Sequence, residues 1–292
     1  MKRINVLKGN DMKSNLLIML KGFLIGSSMS VPGVSGGTMA ILLGIYDRLI
    51  STISNFFKDI KKNIFFLMKF CIGAAVGIAS LAFVITWLLE KFPVPVSFFF
   101  LGAVIGGIPA LYKKTNMSTL KFSAVIYFII GLVCVISIGA IPLGSIDVTS
   151  GSGFTYYIMM FLTGICIAMA LVLPGISTSH MLIVLGMYDD LLLAITKFDI
   201  IYIGILGVTT LLGIFIITKP LEWLMNRYSY QTYCIIIGFV LGSTSEIFSD
   251  IIFPAIPDNA NITWWVSSVL LSIVTFILGF KGINSLSRFS ND

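Results

Sequence analysis

Two short stretches combine residue types that together can hold an anion. Residues 32–38 read PGVSGGT and residues 174–180 read PGISTSH, each set inside a long apolar segment. Proline removes a backbone donor and stops the helix before it, while glycine takes backbone angles that other residues avoid. A new helix is then expected to start at Ser35-Gly36-Gly37-Thr38 and at Ser177-Thr178-Ser179-His180. The start of a helix exposes N–H groups without intrahelical partners and about half a positive charge. Ringed by hydroxyls, it suits an anion or a phosphate. The plainer use of the same residues is helix capping and close packing. Two occurrences of one Pro-Gly-x-Ser pattern tilt the reading toward a shared ligand cradle.

Ionisable residues flank these stretches. His180 is the single histidine, at the position where the first stretch has Thr38, and suits either donation to a phosphate or proton carriage. A filled packing position is the competing reading. Lys21 and Arg48 bracket the first stretch as candidate phosphate partners, or else as interfacial anchors that set topology. Asp47 and Asp189 each follow a Gly-x-Tyr, which points to a cap, a gate or proton coupling. Cys71, Cys134, Cys166 and Cys234 stand far apart in apolar runs, so they read as small buried hydrophobes. No metal site and no cofactor are expected from these spacings.

The elements that must position these residues belong to a membrane protein. Of 292 residues 57% are hydrophobic and 11% charged, against roughly 25% charged in a soluble domain. That excludes a soluble single-core fold, a disordered chain and a nucleic-acid reader, despite a formal net charge of +6. Apolar segments fall near 15–31, 35–50, 64–89, 96–112, 122–143, 155–173, 178–195, 200–221, 232–248 and 263–280. At 1.5 Å per residue the longer ones cross a core ~30 Å thick. The pairs 15–31/35–50 and 155–173/178–195 are broken by the Pro-Gly-Ser clusters instead of by charged loops, and read as hairpins.

The chain also contains an internal repeat. Residues 21–50 and 163–192 align without gaps at 12 of 30 positions, including Pro32/Pro174, Ser35/Ser177, Gly44/Gly186 and Asp47/Asp189. WLLEKF at Trp87 aligns with WLMNRY at Trp223, followed by Gly102/Gly238 and Gly106/Gly242. Each copy holds a hairpin and three crossings, an odd number, so the second copy starts on the opposite side. The expectation is an all-α polytopic fold of two inverted repeats, 15–146 and 154–283, with cytoplasmic tails at 1–14 and 284–292. The N-terminal apolar run resembles a signal peptide, but its recurrence near residue 170 makes it part of the fold. With each hairpin returning to its own side, 17 of the 19 Lys and Arg fall on one face and only Lys91 and Lys197 on the other. That face is cytoplasmic by the positive-inside rule, and both termini lie there. Inverted repeats with broken helices are the plan of many secondary transporters, with substrate bound at midplane between the copies. Gly73/Gly77, Gly102/Gly106 and Gly238/Gly242 read as helix-packing pairs.

PGVSGGT and PGIS, with LGIYD and LGMYD behind them, resemble the polyprenyl-phosphate transporter family over essentially the full chain. The resemblance implies a bacterial plasma-membrane protein that returns undecaprenyl phosphate to the cytoplasmic leaflet for envelope synthesis. It implies binding at Gly33, Ser35, Gly36, Gly37 and Thr38, and at Gly175, Ser177, Thr178, Ser179 and His180. Where members often carry an acidic residue just before the first Pro-Gly, this chain has Ser30-Val31. In the second motif Thr178 and His180 replace a glycine and an aromatic.

Two other readings compete. Ser177 and His180 lie three apart, as in pieces of lipid phosphatases and serine hydrolases. A second histidine and an Arg–Pro phosphate motif are missing, so no enzyme is expected. A transporter or channel for a small anion would use the same hairpin tips. No Walker motif occurs, so a proton or ion gradient is the expected driving force, not ATP.

Overall fold

The computed structural model describes the backbone of residues 2–29, 31, 34–117, 121–142 and 154–288, with side chains except at 2–13, 154–155 and 287–288. The regular elements among the described residues are helical: α1 (Lys2–Ser28), α2 (Gly36–Leu42), α3 (Tyr46–Ser54), α4 (Ile60–Lys91), α5 (Pro93–Lys114), α6 (Phe122–Gly139), α7 (Phe154–Val172), α8 (Thr178–Val184), α9 (Tyr188–Thr196), α10 (Ile200–Arg227), α11 (Ser229–Gly242), α12 (Thr244–Ile247) and α13 (Ile262–Arg288). A single 3₁₀ turn leads into α4 and a π turn, Phe248–Ile252, follows α12. Among the described residues six spans are long and apolar enough to cross a membrane: α4, α5, α6, α10, Ser229–Ile252 and Ile262–Leu286. Their outer faces carry large bare hydrophobics, Phe83 at 79% exposure and Phe122 at 81%. Water would punish such a surface, whereas lipid tails accept it.

Lipid offers no hydrophobic drive between helices, so close backbone approach has to supply the attraction. Glycine makes that approach possible. Gly22 and Gly26 of α1 lie against the backbone of Phe70 and Ala74 on α4, and Gly73 and Gly77 of α4 lie against the carbonyls of Met19 and Phe23 on α1. A Cβ at any of the four would collide with backbone. Gly102 of α5 and Gly279 of α13 meet in the same way, as do Gly238 of α11 and Gly131 of α6. The Gly-x-x-x-Gly pairs therefore serve the packing role their spacing predicts.

The backbone repeats itself as the sequence does. Ser35 and Ser177 precede α2 and α8 with ψ of 136° and 125° at a shared φ of −78°. Both seven-residue helices end alike: Gly44 and Gly186 take φ of 66° and 68°. Their N–H groups donate to Ile41 and Ile183, while those of Ile45 and Met187 donate to Ala40 and Leu182. This is a Schellman-type stop, which needs a left-handed residue and here has glycine. Phe92 and Tyr228 turn α4 into α5 and α10 into α11 at φ of −135° and −124°. The pairings α1 with α4 and α7 with α10 stay within each half. α5 pairs with α13 and α11 with α6, so the halves exchange helices.

Two expectations change. The second arms at 35–50 and 178–195 are not single helices. The glycine stops divide each into a seven-residue and a nine-residue helix, and α8 meets α9 at 106°. Of the cysteines only Cys234 is buried. Cys71 and Cys134 are exposed and Cys166 is intermediate, and all four are free.

Candidate functional site

The first tip joins α1 to α2. α1 closes with Met29 donating to Ile25, and Val34 then donates to Val31 at 3.1 Å. Ser35 stands at the cap position of α2, yet its side chain caps nothing. Its hydroxyl is buried with no hydrogen-bond partner, and the Thr38 hydroxyl one turn on is in the same state. Ser35 is 4% exposed and Thr38 1%. A buried hydroxyl without a partner costs roughly 1–3 kcal/mol, so a protein that keeps two has reason to. Gly36 packs on the Met29 thioether. Gly33 lies outside the described residues.

The second tip joins α7 to α8. Gly175 holds φ of +85°, with the Phe239 carbonyl where a Cβ would be, so only glycine fits. Ser177 does cap its helix, its hydroxyl accepting from the His180 N–H at 3.3 Å. Thr178 and Ser179 form the first turn of α8, with Thr178 half-buried and Ser179 exposed. The imidazole Nε2 of His180 is buried and has no partner.

The two tips touch. A Cβ on Gly37 would sit 3.1 Å from the Pro174 Cα and 3.3 Å from the Leu173 carbonyl oxygen. The hydroxyl of Tyr46, the first residue of α3, donates to the Val172 carbonyl at 2.7 Å and ties the halves together beside that contact. Met29 and Val31 of the first tip share one cavity of about 730 Å³ with Ser177, Ser179 and His180 of the second. The unpartnered hydroxyls of Ser35 and Thr38 are buried and do not line that cavity. Because α2 and α8 are two turns long, their summed dipoles are small. What these tips can offer an anion is N–H groups and hydroxyls more than the half charge expected of a full helix.

Other expected residues lie away from the tips. Lys21 sits half-buried about two turns before the end of α1, near enough to Arg48 to feel its charge. Arg48 lies over the Phe66 ring at 4.4 Å. They form a basic pair at the base of the first hairpin. Asp47 is ion-paired with Lys114 at the end of α5, and that ammonium lies 5.5 Å from the Tyr233 ring. Asp189, its counterpart, is exposed in the first turn of α9.

Glu246 was missed as a site residue. By the distribution of charge it reads as one of several acids on the outer face. It is 6% exposed and lines the same cavity as His180, Asp250 and Ser249. The signal was present: a carboxylate inside the apolar segment 232–248 is a functional candidate on that ground alone. Among the described residues no group of three or more His, Cys, Asp and Glu could hold a metal ion.

Comparison with known proteins fits this arrangement. A family model described as undecaprenyl phosphate translocase-like matches residues 25–255, a range that contains both tips and Glu246. The polyprenyl-phosphate transporter of Staphylococcus aureus (strain NCTC 8325 / PS 47) is 35% identical over 286 residues, 93% of this chain and 95% of the relative. The polyprenyl-phosphate transporter of Vibrio cholerae serotype O1 is 30% identical over 265 residues, 85% of this chain and 80% of the relative. No solved structure matches the chain. With a family match over most of its length, and two transporters as relatives, the chain belongs to the undecaprenyl phosphate translocase-like family.

Proposed function

We propose that the protein is a translocase for polyprenyl phosphate that returns the lipid to the cytoplasmic leaflet, with the phosphate head held between the two hairpin tips. The observation that carries this reading is the contact of Gly37 with Pro174, flanked by buried hydroxyls at Ser35 and Thr38 that have nothing to bond. A lipid phosphate carries about −1.5 to −2 charges near neutral pH, and moving it bare through hydrocarbon is prohibitive. Its tail is at home there, at roughly 0.8 kcal/mol per buried CH₂. A translocase therefore has to replace the hydration of the head and leave the tail in lipid.

Fixed donors at the tips do the first task. Ser35, Thr38, Ser177, Thr178 and Ser179 supply hydroxyls, Gly33, Gly36, Gly37 and Gly175 let a ligand approach the backbone, and His180 supplies Nε2. Lys21 and Arg48, at the cytoplasmic base of the first hairpin, receive the head on release. For the second task, an apolar cavity of about 200 Å³ borders the first tip, lined by Ser28, Met39, Phe99, Ala103, Gly282 and Ile283. It lies between the pair α1/α4 and the pair α5/α13. The two halves, 15–146 and 154–283, are inverted across a bacterial plasma membrane with both termini cytoplasmic. Rocking one half against the other breaks the tip contact and exposes the head site to each face in turn. The Tyr46–Val172 bond, which crosses between the halves, is the contact that such a motion opens.

The test is leaflet exchange of a labelled polyprenyl phosphate in proteoliposomes containing the full chain. Exchange well above protein-free vesicles supports the reading. Permeation of inorganic phosphate or chloride without lipid exchange overturns it and leaves a small-anion pathway.

A further inference from the structure

The cavity at the second tip has an unexpected charge balance for a phosphate site. Glu246 and Asp250 line it, and neither Lys nor Arg does. The repeat register makes the imbalance explicit: the step that takes Trp87 to Trp223 takes Lys114 to Asp250. The first half pairs Asp47 with Lys114, whereas the second has acids at both places, Asp189 and Asp250.

Glu246 is the deeper of the two cavity acids. It is 6% exposed, and among the described residues no hydrogen bond or ion pair reaches its carboxylate. Gly139, at the end of α6, lies against it, with room for a Cβ only 3.4 Å from Oε1. The groups facing it are the His180 imidazole from α8, the Tyr188 hydroxyl from α9, and Asp250 and Ser249 from the π turn. α1 and α6 offer Met29, Val31, Ile141 and Pro142, which carry no titratable group. Asp147, in the link between the halves, lies outside the described residues.

An isolated carboxylate at membrane depth is costly, and a dianionic head brought beside it is more so. A proton on the carboxylate removes both objections, and the neutral acid then donates a hydrogen bond to the head. A metal cation would need a cage of oxygens, as in other hard-cation sites. Glu246 and Asp250 are the two carboxylates lining this cavity, and among the described residues no group of three or more His, Cys, Asp and Glu gathers to build one.

We infer that Glu246 is a proton-binding residue, with His180 as its partner, and that one proton enters with each lipid phosphate and leaves with it on the other side. This inference rests on the translocase reading, which supplies the phosphate. The proton comes from solvent on the cavity side, is held on the Glu246 carboxyl while the head occupies the site, and is released after the halves have rocked.

The experiment uses proteoliposomes of the full chain with a fluorescent polyprenyl phosphate, the membrane potential clamped at zero, and an imposed gradient of one pH unit. One proton per lipid sets a leaflet ratio of about tenfold at steady state, because one pH unit and one decade in an equilibrium are the same free energy. The expected result is that ratio for the native protein and a ratio near one for Glu246→Gln, with exchange that no longer follows the gradient. A native ratio of one, a ratio set by a sodium gradient instead, or a tenfold ratio retained in Glu246→Gln overturns proton coupling while leaving the translocase intact. Absence of lipid exchange in the native protein under every condition overturns the translocase itself. Should Glu246→Gln not fold, proton uptake is read directly: the native protein in weakly buffered detergent takes up protons when the lipid phosphate is added. No uptake there also overturns the proposal.

Discussion

Ser35 and Ser177 hold the same place in the two halves, and replacing each with alanine is expected to move stability in opposite directions. The Ser177 hydroxyl accepts from the His180 N–H, so Ser177→Ala loses a cap worth about 1 kcal/mol. The Ser35 hydroxyl is buried, caps nothing and has no partner. Ser35→Ala then removes an unsatisfied group costing roughly 1–3 kcal/mol and should stabilise the empty protein. Thr38→Val, nearly the same shape, should do likewise. For a chain of this size 1 kcal/mol corresponds to about 2–4 °C in Tm, so the signs are readable by thermal unfolding in detergent without lipid. Lipid exchange should fall in the same first-tip variants. A hydrogen bond to a charged group contributes about 1.5–3 kcal/mol, or roughly 10- to 100-fold in affinity. Stabilisation with lost transport is the signature of a group kept for a ligand. A fall in Tm for Ser35→Ala, or unchanged exchange in Ser35→Ala/Thr38→Val, would refute the reasoning.

Other outcomes follow from single contacts. Tyr46→Phe removes the donor to Val172 and strands a buried carbonyl, so thermal unfolding should show a loss of about 1–3 kcal/mol. Gly73→Leu drives a side chain into the Met19 carbonyl and should abolish a monodisperse protein on size exclusion, whereas Gly204→Leu, with open space around it, should be tolerated. Gly175→Ala combines φ of +85° with a backbone collision and should lower Tm severely. His180→Thr installs the residue of the first half. It should leave stability within about 0.5 kcal/mol of native by thermal unfolding and slow lipid exchange without abolishing it.

Much of the molecule was legible in the sequence because lipid imposes strong rules. Satisfying every backbone group forces helices, and the Gly-x-x-x-Gly pairs identify the faces that meet. The repeat carried further still, since Gly44 and Gly186 stop two helices in the same way to within a few degrees. That stop was itself overlooked. Hydropathy is blind to a glycine that bends an apolar segment, and so 35–50 and 178–195 looked continuous. The asymmetry between the halves was equally hidden. Identical Pro-Gly-x-Ser motifs give one serine a backbone partner and the other none, because the surrounding packing differs. Glu246 is visible in the sequence as a carboxylate within an apolar segment, but hydropathy does not show that the folding of α11, α12 and the π turn buries it.

The central claim is that both tips hold one phosphate head, and photocrosslinking tests it most directly. A polyprenyl phosphate bearing a diazirine on the first isoprene unit, irradiated with the full chain in proteoliposomes and mapped by mass spectrometry, should label peptides containing 34–39 and 173–180 together. Excess unlabelled lipid phosphate should compete that labelling away. Labelling confined to one tip, or to the basic pair at Lys21 and Arg48, would contradict a shared cradle.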